Sequence, residues 1–380
     1  MSAAFYQNFK LGVLGGGQLG RMLIQSAIDF NLDVWILDPD ENAPCKNIAT
    51  QFIQGSLTDF DTVYAFGKKC DLITIEIENV NTAALKKLKE EGIEVYPEPQ
   101  IIELIQDKRE QKTFYKNHQI PTADFVLTEN REDVRKYITM LPAVHKLGKE
   151  GYDGRGVQKI TTSQELEKAF DAPGLLEKLI DFEKELAVIV ARNAAGEMST
   201  FPVVELVFHP EHNLVEYLFA PARISEQMAR DADSLAKKVI EKLGMTGLLA
   251  VEMFLTKDGN LLVNEIAPRT HNSGHHSIEA NITSQFEQHL RAILNMPLGS
   301  TATKIPAAMV NLLGEDGYTG LAKLEGLEDV LAIEGAKVHL YGKKLTKPFR
   351  KMGHITIVDQ DLNRLKEKVQ QAKQTLKIKA

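Results

Sequence analysis

Residues 250–266 read AVEMFLTKDGNLLVNEI. Two apolar runs flank Asp258-Gly259, a dipeptide favoured at the centre of a two-residue hairpin turn. With those two residues as the turn, Glu252 falls directly opposite Glu265. Their Cβ atoms are then about 4.5–5.5 Å apart on one face of the hairpin. Like charges so placed in an apolar ribbon are destabilising unless a cation sits between them. Carboxylates suit magnesium, which usually arrives with substrate phosphates. A register that sends both side chains to solvent is the bland alternative. Asn264 points to the other face of an ideal strand, so a role for it at the metal needs a local twist.

The chain continues from the hairpin as Asn264-Glu-Ile-Ala-Pro-Arg-Thr-His-Asn-Ser-Gly-His-His276. His271 and His275 are four residues apart, a zinc-like spacing on a helix, but Pro268 and Gly274 argue against a regular helix and no third soft ligand is near. A loop carrying Arg269 and many hydrogen-bonding groups reads better as a wall for a second substrate. Upstream, residues 148–156 read GKEGYDGRG, four glycines in nine residues between strand-like runs. Such a loop either closes over polyphosphate with its N–H groups or is a plain hairpin loop. Lys146, at the end of the strand before it, is placed to reach the same phosphates. Leu175–Ile180, LLEKLI, reads as a strand that could also supply an apolar slot and backbone groups for a purine ring.

Near the N-terminus, strand Lys10–Leu14 runs into Gly15-Gly16-Gly17-Gln18-Leu19-Gly20 and a helical pattern through Phe30. The glycines let backbone N–H groups approach an anion at the helix N-terminus. Asp38 ends the next strand, where a dinucleotide-binding fold places its ribose carboxylate; before Pro39 it could equally start a turn. An NAD(P)-dependent oxidoreductase is open at this point. Further strands at Leu72–Ile77 and Ile93–Tyr96, with helical patterns between, predict a parallel sheet covered by helices, ending near the prolines 97 and 99.

Two or three domains fit 380 residues, and 43% hydrophobic with 26% charged residues excludes a disordered chain. We expect 1–105 to be a Rossmann-like domain, 106–300 a two-lobed α+β domain with largely antiparallel sheets, and 301–380 a small β-rich domain closed by a helix over Leu362–Ile378. A net charge of −7 argues against a nucleic-acid binder, no apolar stretch is long enough to span a membrane, and two cysteines fit a reducing cytoplasm.

Four motifs, taken together and in order, resemble the ATP-dependent 5-(carboxyamino)imidazole ribonucleotide synthases of the ATP-grasp superfamily. They are Gly-Gly-Gly-Gln-Leu-Gly-Arg-Met at 15–22, Gly-Tyr-Asp-Gly-Arg-Gly at 151–156, Asn-Glu-Ile-Ala-Pro-Arg-Thr-His-Asn-Ser-Gly-His at 264–275, and Arg-Lys-Met-Gly-His at 350–354. The resemblance implies an ATP-grasp fold and a homodimer using ATP, magnesium or manganese, bicarbonate and 5-aminoimidazole ribonucleotide. It implies phosphate contacts from Lys108 and Lys146, and a lid of Gly151, Tyr152, Asp153, Gly154, Arg155, Gly156 and Val157. An adenine slot would be lined by Glu177, Lys178, Leu179 and Ile180, with Glu185 on the ribose and His212 and Asn264 on the nucleotide. Glu252 and Glu265 would hold the metal. Gly17, Gln18, Leu19, Glu78, Tyr152, Arg155, Asn272, Ser273, Lys343 and Arg350 would face the ribonucleotide. Arg155 or Arg269 would hold the carboxylate-like group, and Asp153 is the candidate proton acceptor.

The chain departs from this pattern after Tyr341-Gly-Lys, where relatives often carry a glutamate and then Arg-Pro-Gly. Here Lys344-Leu-Thr precedes Lys347-Pro-Phe349, so a charge is kept without the arginine fork. Lys108 stands where several relatives have arginine. A formate-using ATP-grasp transformylase is the near rival, and a non-catalytic nucleotide sensor a third reading. The oxidoreductase leaves the second glycine loop and the glutamate pair unexplained.

Overall fold

The computed structural model describes residues 8–149, 156–208 and 214–380. The first unit is a parallel sheet of β1 (Lys10–Leu14), β2 (Asp33–Asp38), β3 (Gln51–Gln54), β4 (Leu72–Ile75) and β5 (Glu94–Val95), ordered β3-β2-β1-β4-β5. Strand order reverses between β1 and β4, so the crevice beyond their carboxyl ends is where such sheets bind ligands. Helix α1 (Gln18–Asp29) starts at that crevice and buries Leu19, Met22, Leu23, Ile24 and Ala27 on one face. The helical spacing over 101–117 reads as one helix, but the chain forms two, Pro99–Gln106 and Lys108–Asn117. Asp107 breaks it with an extended backbone, and its side chain accepts from Arg109 N as the cap of the second helix.

The next strands are β6 (Phe125–Thr128), β7 (Ala143–Leu147), β8 (Val157–Ile160) and β9 (Gly174–Lys178), which make an antiparallel sheet ordered β6-β9-β7-β8. The strands β10 (Phe182–Arg192), β11 (Met198–Thr200), β12 (Val204–Phe208), β13 (Val215–Ala220), β14 (Gly247–Thr256) and β15 (Leu261–Ala267) belong to a larger antiparallel sheet. That sheet does not stop at residue 300. Strand β13 pairs with Ala307–Leu313, which pairs with Lys351–Val358 and through it with Ala336–Leu340. The central and C-terminal units therefore share one sheet. Helix Leu362–Thr375 covers its far end with Leu365, Val369 and Ala372.

A core cluster joins all three units. Leu11, Val13, Met22 and Leu23 of the parallel sheet and α1 pack with Phe286, Leu290 and Ile293 of the helix Gln285–Ile293 and with Tyr341. This holds the first glycine loop against the histidine-rich turn and the C-terminal strands. Among the described residues no helix is long and apolar enough to cross a membrane.

Candidate active site

The hairpin brings Glu252 opposite Glu265, but by a different route from the expected turn. Thr256 N donates to Asn260 O at 2.9 Å, so the loop is the three residues Lys257, Asp258 and Gly259, the last with φ +78°. A glycine tolerates that left-handed position without a Cβ clash. The ladder then runs Leu255–Leu261, Phe254–Leu262 and Met253–Val263, one residue out of the expected register. A bulge at Asn264 inserts the missing residue and restores Glu252 to Glu265. The bulge is also the local twist that Asn264 required. Its Oδ1 accepts from Lys146 Nζ at 3.2 Å, across 118 residues.

Around this pair three lysines converge. Lys108, the first residue of its helix, lies with Nζ 3.3 Å from Glu265 Oε1, and Glu265 is half exposed. Lys146 on β7 and Glu177 on β9 are diagonal neighbours in the small sheet, on one face, and form an ion pair. Lys112 forms a second ion pair with the other oxygen of Glu177. Burial opposes the charge on Glu177, yet the two ammonium groups hold its carboxyl down to about 2. Glu252 behaves oppositely. Burial, then the neighbouring charges of Glu265 and Glu185, push it up to about 8. That strain is what a divalent cation between the two carboxylates would relieve, so the residues present fit a magnesium ion. No group of three or more His, Cys, Asp or Glu among the described residues is placed to hold a metal. Two carboxylates with phosphates completing the shell is the usual magnesium arrangement.

The slot expected to hold a purine has Lys178 N donating to Asp124 O at 2.9 Å and Leu179 N to Pro142 O at 3.0 Å, with Lys178 exposed and Ile180 partly so. Glu185, on β10, is pushed up to about 7 by burial, with Lys146 pulling it back. Lys108 N donates to Gly148 O at 2.7 Å and Leu147 N to Gly156 O at 2.8 Å, tying both ends of the second glycine loop to the site. Val157 begins β8. Gly151, Tyr152, Asp153, Gly154, Arg155 and His212 lie outside the described residues.

At the N-terminal loop the groups expected to face an anion are partly engaged. Gly16 N donates to Asp38 Oδ2 at 2.6 Å and Leu19 N to Glu76 Oε1 at 3.1 Å. Asp38 also accepts from Asp40 N, so its carboxylate shapes its own turn. The N–H groups of Gly17 and Gln18 meet no described acceptor. Glu76 went unnoticed in the sequence. It stands just past the carboxyl end of β4, beside the strand-order reversal, which is the signal that could have found it. Burial pushes it up to about 7 against the pull of Arg269. A Cβ on Gly17 would meet Glu76 Oε1 at 2.5 Å, so the carboxylate occupies the space a side chain would take.

The substrate-side residues divide. Arg269 Nε lies 2.8 Å from Glu78 Oε1, joining the histidine-rich turn to the parallel-sheet domain. His271 Nε2 is 3.6 Å from Glu252 Oε1, and its Nδ1 bonds buried Ser273 Oγ at 2.9 Å. His275 is buried instead, its Nδ1 3.0 Å from Gln285 Nε2. Asn272 exchanges amide hydrogen bonds with Asn311, at 2.8 and 3.0 Å. Lys343 Nζ donates to Lys351 O at 2.8 Å and Arg350 Nη1 to Leu345 O at 2.7 Å. Phe349 has φ +62°.

Comparison with known proteins agrees with this layout. Residues 9–106 match the ribonucleotide synthetase preATP-grasp domain, 113–286 the ATP-grasp domain, and 307–368 the phosphoribosylaminoimidazole carboxylase C-terminal domain. The chain is 40% identical to the N5-carboxyaminoimidazole ribonucleotide synthase of Synechococcus elongatus, over 91% of this chain and 89% of that one. It is 40% identical to the chloroplastic phosphoribosylaminoimidazole carboxylase of Vigna aconitifolia, over 93% of this chain, and spans 64% of that protein's length. The crystal structure of N5-carboxyaminoimidazole ribonucleotide synthetase from Thermotoga maritima superposes with a TM-score of 0.91 at 45% identity, covering 98% of this chain and 99% of that one. The Aspergillus clavatus synthase in complex with ADP and 5-aminoimidazole ribonucleotide gives 0.88 at 34% identity, covering 97% and 99%.

Proposed function

The chain belongs to the N5-carboxyaminoimidazole ribonucleotide synthase family of ATP-grasp enzymes, and from that premise we propose that it carboxylates the amine of 5-aminoimidazole ribonucleotide with ATP and bicarbonate. The products are the N-carboxylated ribonucleotide, ADP and phosphate. The observation that carries this reading is the convergence of Lys108, Lys146, Glu177, Glu252 and Glu265 between the small sheet and the large one.

Bicarbonate oxygen attacks the γ-phosphorus of ATP and ADP leaves, giving carboxyphosphate, which breaks to carbon dioxide and phosphate. The ribonucleotide amine captures the carbon dioxide and gives up a proton. Glu252 and Glu265 would hold a magnesium ion, which would supply charge neutralisation at the phosphates. Lys146 and Lys108 stabilise charge on the transferring group with point charges already fixed in place. Arg269, or Arg155 in the lid motif, holds the carboxylate-like species, with Asp153 as proton acceptor. Tyr152, Asp153, Arg155 and their flanking glycines exclude water, to which both carboxyphosphate and carbon dioxide are lost. Gly17, Gln18, Lys343 and Arg350 take the ribonucleotide phosphate. A homodimer is proposed on the family ground alone, and light scattering after size exclusion tests it.

The test is phosphate release from ATP and magnesium, with and without the ribonucleotide and bicarbonate, while NAD(P)H absorbance is followed. Release that needs all components, with no change in NAD(P)H absorbance, supports the reading. Release indifferent to the ribonucleotide, or turnover of NAD(P)H, overturns it.

A further inference from the structure

Below the nucleotide cleft a polar ring closes through five segments of chain. Lys112 Nζ, on a side chain only 3% exposed, pairs with one oxygen of Glu177, whose side chain is 5% exposed. The same ammonium lies at Thr122 Oγ1, and that hydroxyl donates to Val263 O at 2.6 Å. Val263 precedes the Asn264 bulge, whose Oδ1 accepts from Lys146 Nζ at 3.2 Å. Lys146 returns to the other oxygen of Glu177. The ring thus links the helix Lys108–Asn117, the segment at Thr122, β15, β7 and β9.

Two ammonium groups share one buried carboxylate. Lys146 is the less buried of the two, at 14% exposed against 3% for Lys112. A carboxylate buried with a single ammonium binds it as a closed pair, because no water competes. Dividing Glu177 between two lysines leaves Lys146, on which Glu265 and Glu185 also act, less fully neutralised by its nearest carboxylate and partly open to the cleft. The geometry points to Lys112 as a positioning residue for the nucleotide: it holds Glu177 from beneath, so that Lys146 is aimed at phosphate and not neutralised by its neighbour. Lys112 itself reaches no ligand. Its role is distinct from that of Lys108, one helical turn earlier, which faces Glu265.

This inference rests on the nucleotide-site reading above, and its test separates the two. The affinity for a non-hydrolysable ATP analogue with magnesium is measured by calorimetry, beside the Michaelis constant for the ribonucleotide. Lys112→Met should weaken the analogue by roughly tenfold or more, the scale of one charge-assisted contact, and leave the ribonucleotide constant within about twofold. Because Lys112 acts through Glu177, the Lys112→Met/Glu177→Gln double variant should bind the analogue no worse than the weaker single variant. Effects that multiply, or an unchanged analogue affinity in a folded Lys112→Met protein, overturn the assignment. Should Lys112→Met fail to fold, Thr122→Ala removes the hydroxyl beneath its ammonium. That variant should weaken the analogue about threefold or more; no change would overturn the proposal. Absence of ribonucleotide-dependent phosphate release in the unmodified protein would count against the carboxylation reading alone, since analogue binding does not depend on it.

Discussion

At the N-terminal glycine loop two carboxylates accept from backbone N–H groups, Asp38 from Gly16 and Glu76 from Leu19. In the central cleft the carboxylates lie among ammonium groups, Glu177 between Lys112 and Lys146 and Glu265 beside Lys108. Both regions are proposed anion sites, and the balance of burial and positive charge on their carboxylates differs. Burial keeps Glu76 near 7 against the pull of Arg269 and of the Leu19 N–H, poised between its two states. Full positive charges hold Glu177 near 2, ionised at any working pH. On the proposed reading, the first cradle would admit a phosphate by taking up a proton and the second by redistributing cations that are already present.

The contrast breaks most sharply at the glutamate pair. Glu265→Gln removes one carboxylate from the hairpin and leaves Lys108 without its partner, and ATP turnover should fall by about a hundredfold or more at saturating substrates. Retained turnover at ordinary magnesium concentration would remove the pair from the site. The fold should survive, since the change also relieves the repulsion that pushes Glu252 up to about 8.

On the ribonucleotide side, Arg350→Ala should raise the Michaelis constant for 5-aminoimidazole ribonucleotide about tenfold, the loss of roughly 1.5–3 kcal/mol for one charge-assisted hydrogen bond. The constant for ATP should move far less, and equal changes in both would place Arg350 outside the phosphate cradle. Asp38→Ala is informative in the same assay. Sequence alone leaves Asp38 as a ribose carboxylate or the start of a turn, and the hydrogen bonds from Gly16 and Asp40 make it a support of the loop. A rise of a few-fold for the ribonucleotide is therefore expected, with ATP unaffected.

Asn264→Ala deletes the acceptor for Lys146 and leaves the bulge. A cost of about 1.5 kcal/mol, or roughly tenfold in the ATP constant, follows from losing one hydrogen bond from a charged donor. An unaltered ATP constant would mean that the bulge matters only for the register of the glutamates.

The mildest effect is in pH. Glu76 is neutral below about 7 and negative above it. A negative Glu76 repels an incoming phosphate, so the ribonucleotide constant should climb by about threefold as pH rises from 6 to 8. Glu76→Gln should flatten that climb. Glu177, already ionised throughout, contributes no change over the same window. A climb that persists in the Gln variant would assign it to another group.

Much of the site was legible from local patterns. The strand–glycine–helix passage at Lys10–Asp29 and the facing pair Glu252 and Glu265 follow from period and turn chemistry within about twenty residues of chain. Even so, the pair came right through two offsets that cancel, a three-residue loop in place of two and a bulge at Asn264. Neither is written in the apolar alternation, because a bulge is set by what the strand must reach. Here it reaches Lys146, on another sheet.

The sequence by itself determined which segments become strands and helices, the two glycine loops and the family to which the motifs point. Only the tertiary structure decided which charges meet. Lys112 reads as one lysine among several on a polar helix, and nothing local marks it as buried against Glu177, 65 residues on. Asn272 matches the substrate side in sequence, and only the packing shows its amide paired with that of Asn311; the continuation of the large sheet past residue 300 shows only in the pairing of β13 with Ala307–Leu313. The physical reason is one of range. Backbone conformation answers to neighbours a few residues away, whereas burial and ion pairing depend on chain segments that come together only when the whole molecule packs.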